Sequence, residues 1–402
     1  MPSRAVWVPN DPVSLVVLNQ ETEVVGNPQL ESLWRDRLRG VYVPQLMWKL
    51  AGMPAGRQYR GIRDDNRSAL LTDDRFVIGE REYFAAVKGC GSDFDAYEHS
   101  PLTSETLQAI CHDPEIASDL ADLNNGDARF VTAERWFGNT PYGGQAPDNA
   151  MLGLLASLRA NRNEIDGFYI CPIVALLQLP ERFQRIASSF YWYRKYTGTY
   201  WQEVRLMPSN VRLYFQSPVT FGADTGEAFA LFNLKSLESC EDFLTNLARS
   251  TLAALTLYAR TLRYDSRSGC YMGLGYHDVW LDKDAVIAAD GTLHFADLEG
   301  IEDVRVGRPD DVREQILMQF YRNVYEANFS LEATAVETER RLALNQSRSE
   351  RRAWLSEIIQ KACRADPYVK VERRGDKMYV FVEPAVDKSD LAVEIELFSG
   401  GE

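Results

Sequence analysis

Residues 276–300, YHDVWLDKDAVIAADGTLHFADLEG, set six acidic side chains around two short apolar runs, Ala285 to Ile287 and Leu293 to Ala296. Asp290-Gly291 separates the runs, and this dipeptide favours a tight hairpin turn because glycine takes positive φ without steric cost. The runs are therefore expected to pair. A hairpin brings its ends side by side, so Asp284, just before the first strand, should lie near Asp297, just after the second. Two carboxylates in one small volume repel, and one takes up a proton unless a divalent cation keeps both ionised. His277 and Asp278 lie on the loop leading in. This is the geometry expected of a magnesium phosphate site, and it requires Asp284 and Asp297 to lie within about 8 Å of each other, given magnesium–oxygen bonds of about 2.1 Å.

Outward from this stretch, the chain before it carries Leu244, Ala248, Leu252, Leu255, Ala259 and Leu262 at spacings of three and four, which predicts one long helix from Glu238 to Tyr264. After it, Pro309 to Asn328 and Ala333 to Cys363 read as further helices, with Asp310 and Asp311 favourable near the start of the first. Three alternating runs close the chain, Tyr368 to Arg373, Lys377 to Glu383 and Leu391 to Phe398, and predict a small β extension. Upstream, Phe76 to Ile78 and Tyr83 to Lys88 read as a hairpin around Gly79-Glu80-Arg81. Helices are expected near Asp148 to Ala160 and Glu181 to Tyr196, and a second hairpin across Gly222 to Gly226. The Thr140 to Gln145 segment, TPYGGQ, reads as a plain loop before a helix start, with a phosphate cradle as the alternative. The charged run Glu337 to Arg352 reads as a solvated helix face, with a basic docking patch as the alternative.

Composition limits the function classes. The chain has 402 residues, 45% of them hydrophobic, and a formal net charge of -14. That charge repels nucleic acid and anionic lipid, both of which need basic patches, so neither is expected as a partner. No apolar run approaches the roughly 20 residues of a spanning helix, and MPSRAVWVPNDP lacks the apolar segment of a secretory signal, so a cytoplasmic location is expected. The six cysteines are scattered without a C-x-x-C spacing, which fits reduced, buried thiols better than a zinc site. The four histidines form no H-E-x-x-H pair.

The order of these parts resembles the protein-kinase-like fold, including its aminoglycoside-kinase relatives. Members carry a catalytic loop, H-x-D followed five residues later by Asn, then two strands, then a metal-binding Asp in D-F-G or D-x-E. In this chain "HD" at 277–278, Asp284-Ala285-Val286-Ile287 and "FADLEG" are similar to those parts in turn, and "FAAVK" ending in Lys88 resembles the strand lysine motif V-A-I-K. The chain departs from the pattern. Asp278 lies six residues before Asp284, Asp284 stands in place of Asn, and GIRDDNRSALL before Lys88 has no G-x-G-x-x-G.

The resemblance implies an α+β, two-lobed, protein-kinase-like fold with an enlarged N-terminal lobe (1–234), a mainly helical C-terminal lobe (235–364) and a small C-terminal β extension (365–402). It implies ATP and magnesium as cofactors and phosphoryl transfer to a small-molecule or peptide hydroxyl. Asp278, beside His277, would be catalytic, and Asp284 and Asp297 would hold the metal. Lys88 would contact the phosphates, with its glutamate partner among Glu98, Glu164 and Glu181. Phe232, Asn233 and Leu234 would form the nucleotide hinge, an assignment made from spacing, and Glu299 would add a carboxylate to the metal or to a charged acceptor. The irregular catalytic loop and missing glycine-rich loop leave a second reading open, a pseudokinase that serves a protein partner as a regulatory or scaffold module.

Overall fold

The sequence YFAAVK at 83–88 is apolar at consecutive positions, as in a strand covered on both faces, and in the structure it lies in the middle of an eight-stranded sheet. The structure, a computed structural model, describes residues 3–7, 12–18, 24–35, 37, 40–44, 48, 56–63, 68–90, 145, 147–163, 165–184, 200–212, 231–276, 281–375, 377–386 and 389–398. The architecture is mixed α+β. The large sheet contains β1 (Pro12–Leu18), β2 (Val24–Gly26), β3 (Val41–Pro44), β4 (Arg57–Arg63), β5 (Ser68–Ile78), β6 (Arg81–Lys88), β8 (Ile173–Gln178) and β9 (Trp201–Met207), in the order β2-β8-β9-β6-β5-β4-β1-β3. Every pairing in it is antiparallel. The hairpin expected at residues 76–88 is present as β5 and β6, turning through Gly79 at φ 57°.

Register on β6 decides what the sheet presents. Phe84, Ala86 and Lys88 stand directly opposite Met207, Arg205 and Glu203 of β9, and paired residues point to the same face. Over that side packs α2 (Pro147–Asn163), which meets β8 and β9. The short α1 (Glu31–Trp34) lies against β8.

The remaining strands form three smaller sheets, with most of the helices packed beside them. The predicted hairpin at 285–296 forms as β12 (Ala285–Ile287) and β13 (Leu293–Phe295), with Ala285 opposite Phe295. Its third strand is the two-residue β7 (Tyr169–Ile170), parallel to β13 and separated from β8 of the large sheet only by Cys171 and Pro172. A further sheet joins β10 (Arg263–Asp265), β11 (Cys270–Tyr276) and β14 (Ile301–Val306). Packed beside them are α3 (Leu237–Leu255), α4 (Leu257–Thr261), the single-turn α5 (Leu281–Asp284), α6 (Pro309–Leu342) and α7 (Arg348–Cys363). The C-terminal strands β15 (Val369–Arg374), β16 (Lys377–Val382) and β17 (Val393–Phe398) form a meander. Its apolar face, including Val369, Val380, Val382 and Ile395, joins the core formed by the helices.

Several boundaries differ from the sequence reading. The long helix ends at Leu255, where Thr256 turns its hydroxyl back onto the Leu252 carbonyl, and residues expected to continue it become α4 and β10. The apolar spacing runs on because Leu257, Tyr258 and Ala259 are buried anyway. The break expected between Asn328 and Ala333 lies at Ala343–Gln346 instead. Ala343 takes a left-handed conformation (φ 52°), and Ser347 with Glu350 forms a capping box that starts α7. Glu337 and Glu339, read as part of a solvated face, are buried and pair with Arg340, Arg341 and Arg351. Among the described cysteines Cys90, Cys171, Cys240 and Cys363 are buried thiols, while Cys270 is half-buried. Nearly all of the TPYGGQ loop, the second hairpin expected between 211 and 234, and the helix expected after residue 184 lie outside the described residues. No helix among the described residues is long and apolar enough to cross a membrane.

Candidate active site

Lys88 ends β6 on the face covered by α2, and its residue is 1% exposed. A buried ammonium is unfavourable unless it is paired. Its partners come from the far side of the hairpin: Nζ donates to Asp297 Oδ1 at 2.6 Å and to Glu299 Oε1 and Oε2 at 2.9 and 3.1 Å. The two carboxylates keep 28% and 25% of their side chains exposed, so a solvated ion can reach them while it cannot reach the lysine directly.

The three groups set one another's charge. Burial pulls the Lys88 ammonium down, but Asp297 and Glu299 outweigh it and hold the pKa above its ordinary value. Burial pushes the Asp297 carboxyl up, and Lys88, a hydrogen bond with Glu299 and the charge of Arg205 reverse this, leaving it well below the usual range. Glu299 goes the other way: burial, opposed by Lys88 and reinforced by the Asp297 charge, pushes it up to about 8. Lys88 is thus held as the ammonium and Asp297 as the carboxylate, while Glu299 keeps its proton to a higher pH than a free carboxyl would.

Asp284 arrives as the pairing argument requires. It is the last residue of α5 and 5% exposed, and its carbonyl accepts from Ala296 N at 2.7 Å and Asp297 N at 3.2 Å. The two aspartates thus share a main-chain contact at the open end of the hairpin. Among the described residues no group of three or more His, Cys, Asp or Glu side chains is placed to hold a metal ion; Asp297 and Glu299 converge on the lysine ammonium.

Next to Lys88 lies a second buried pair that the sequence reading missed. Glu203 and Arg205 have side chains 1% and 3% exposed, with Arg205 Nη2 2.6 Å from Glu203 Oε1. Arg205 Nη1 also donates to the carbonyl of Ala296, immediately before Asp297. The close approach of α2 depends on Gly153, where a Cβ would stand 3.1 Å from Glu203 Oε2. The signal that finds Glu203 is its register with Lys88, which emerges only once β6 and β9 are paired.

The hairpin is fixed against the large sheet from several directions. Ile287 N donates to Val211 O and Ser209 Oγ to Ile287 O, so the segment leaving β9 lies against β12. At the turn end, Arg81 of β6 bonds Asp290 and Thr292, stacks over the Tyr169 ring at 4.4 Å, and approaches His294 Nε2 at 2.8 Å. The Ile170 carbonyl near His294 Nδ1 can only accept, so Nδ1 carries the proton and Nε2 accepts from Arg81. Burial, with the Arg81 charge added, lowers the His294 pKa to about 3.

His277 and Asp278 lie outside the described residues, as do Glu98 and Glu164. Glu181 is exposed, and the ion pairs of Lys88 go to Asp297 and Glu299. Phe232, Asn233 and Leu234 are not brought to Lys88. Phe232 packs on Phe243, Leu234 is buried in the helical core, and Asn233 adopts a left-handed φ of 55°. Phe232 and Asn233 border a cavity of about 1110 Å³ with Trp7, Arg75 and Arg81, at the opposite end of β6, roughly 23 Å along the strand from Lys88.

No known protein family, curated protein or solved structure was found to match this chain.

Proposed function

We propose that the protein is a kinase-like, ATP-dependent transferase that moves a phosphoryl group to the hydroxyl of a small molecule or peptide, on a two-lobed frame whose nucleotide cleft lies between the large sheet and the hairpin of β12 and β13. One observation carries this reading: the buried Lys88 at a strand end meets both carboxylates of the D-x-E stretch, 209 and 211 residues further along the chain. A lysine and paired acids in one pocket are the components that phosphate and its magnesium ion require, one neutralising oxygens and the others holding the metal.

In this reading Asp284 and Asp297 would hold magnesium, with Glu299 as a further oxygen donor, and the metal would supply electrostatic stabilisation of the phosphates. Lys88 binds the phosphate oxygens, and Asp278, beside His277, orients or deprotonates the acceptor hydroxyl. Titration calorimetry of ATP with magnesium on wild type, Asp297→Ala and Lys88→Ala tests the reading. Expected are magnesium-dependent binding to wild type and loss of at least about 10-fold in affinity in each variant, since a charge-assisted contact contributes roughly 1.5–3 kcal/mol. Absence of binding at millimolar nucleotide would remove the reading.

The mutual bonding of Lys88, Asp297 and Glu299 also favours a second reading, because such a cluster satisfies its buried ammonium without a ligand. A pseudokinase acting on a protein partner would keep it as a structural bond and bind nucleotide without turnover, or not at all. Following labelled ATP separates turnover from binding alone.

A further inference from the structure

A nucleotide held by its phosphates at Lys88 also needs apolar surface beside them for its planar base. Side chains two residues apart on a strand share a face, so the face of β6 that carries Lys88 continues with Ala86 and Phe84. Leu70 of β5 stands opposite Ala86, and Met207 of β9 opposite Phe84. From the hairpin come Val286 and Ala296. These six are buried and, with Cys171, form one apolar cluster spanning the large sheet and the hairpin. The remaining member of the cluster belongs to neither: Ala5 is set into it at 7% exposure, and Trp7 packs against it.

Backbone bonds hold residues 3–7 in this place. Ser3 N donates to Glu80 O at 2.8 Å, Ser3 O accepts from Glu82 N at 2.9 Å, Ala5 N donates to Glu82 Oε2 at 3.0 Å, and Val6 N donates to Pro208 O at 3.0 Å. Ala5 is the one buried residue of the segment. Its neighbours Arg4, Val6 and Trp7 border the cavity of about 1110 Å³, so the segment has open space to move into. A single buried methyl group and a short set of bonds can be given up without dismantling sheet or hairpin. We infer that residues 3–7 are an autoinhibitory contact: they fill the space between sheet and hairpin that the base of a nucleotide bound at Lys88 would occupy, and nucleotide binds when they are displaced. The inference rests on the kinase-like reading. It makes nucleotide affinity depend on how readily this segment leaves the cleft.

The test uses the full chain, with ATP and magnesium as probes. Val6→Pro removes the N–H that reaches Pro208, and Ala5→Asp places a carboxylate where the apolar cluster does not accept one. Calorimetry should show magnesium-dependent ATP affinity about 10-fold higher in each variant, as expected if the open form makes up about a tenth of the wild type. Both variants should still melt cooperatively. Equal or weaker affinity in the folded variants overturns the inference and leaves residues 3–7 as a structural part of the sheet. A second measurement needs neither variant. Hydrogen exchange at the Ala5 and Val6 amides of the wild type should quicken as ATP with magnesium saturates the protein. Exchange unchanged while calorimetry records binding overturns the inference and spares the nucleotide reading. No binding to wild type or to either variant overturns both.

Discussion

Lys88, Glu299 and His294 each titrate away from the pH that water would give them, through burial and the charges of their neighbours. The pH dependence of stability follows from two of them. Glu299, raised to about 8 from an ordinary 4.5, keeps its proton in the folded chain and loses it in the unfolded chain across that window. The unfolded state then binds fewer protons, and stability falls as pH rises from about 4.5 to 8. His294, lowered to about 3 from 6.5, does the reverse: the unfolded state takes the proton first, so stability falls as pH drops from about 6.5 to 3. The windows oppose each other between 4.5 and 6.5, leaving a slope of up to about 1.4 kcal/mol per pH unit on either side. Urea denaturation across pH should show Glu299→Gln flattening the fall above pH 6.5 and His294→Gln flattening the fall below pH 4.5. Unchanged profiles in both variants would mean that neither group titrates abnormally. The types of these residues were readable from the sequence; their charge states were not, because each depends on a partner from another strand.

At the scale of elements, helix α3 grips the turn that aligns the aspartates. Asn246 donates to the Asp290 carbonyl at 2.8 Å, Ser250 accepts from Leu293 N at 2.9 Å, and Gly291 sits so close that a Cβ would lie 2.2 Å from the Phe243 carbonyl oxygen. Gly291 also has φ 87°. Gly291→Ala thus combines an unfavourable backbone conformation with a collision against main chain, and should cost about 2–4 kcal/mol, measured by chemical denaturation. A cost under about 0.5 kcal/mol would show that α3 and the turn are not rigidly joined. The hairpin was legible because Asp-Gly between two apolar runs is a local signal. The division between α6 and α7 was written in the sequence as Ser347-x-x-Glu350, a capping signal that apolar periodicity alone passed over. Glu203 had no local signal at all, since strand pairing across a long connection makes it Lys88's neighbour.

For the whole molecule, Arg81 ties the large sheet to the hairpin through Asp290, Thr292, His294 and the Tyr169 ring. Replacing it leaves Asp290 without its ion pair and removes a cation–π contact, at a cost of about 2–4 kcal/mol. Arg81→Ala should lower the unfolding midpoint and, because the Arg81 charge is the second cause of the low His294 pKa, let His294 titrate closer to its ordinary value. Nuclear magnetic resonance of the imidazole reads the latter. A lowered midpoint with an unmoved histidine would reduce Arg81 to a packing role. Sequence patterns foretold a mixed α+β chain with a β meander at its end, while the extension of the large sheet by β1, β3 and β4 depends on pairings that local patterns do not encode.

Only Cys171 and Pro172 separate β7, which belongs to the hairpin's sheet, from β8 of the large sheet. Cys171 N donates to Phe295 O at 2.6 Å, and Pro172 O accepts from Leu206 N at 2.9 Å, so this short link is bonded to both sheets at once. Swinging the hairpin away from the strand that bears the lysine would therefore have to break main-chain bonds on both sides of the link, so the spacing between Lys88 and the two acids is held by backbone as well as by the ion pairs themselves.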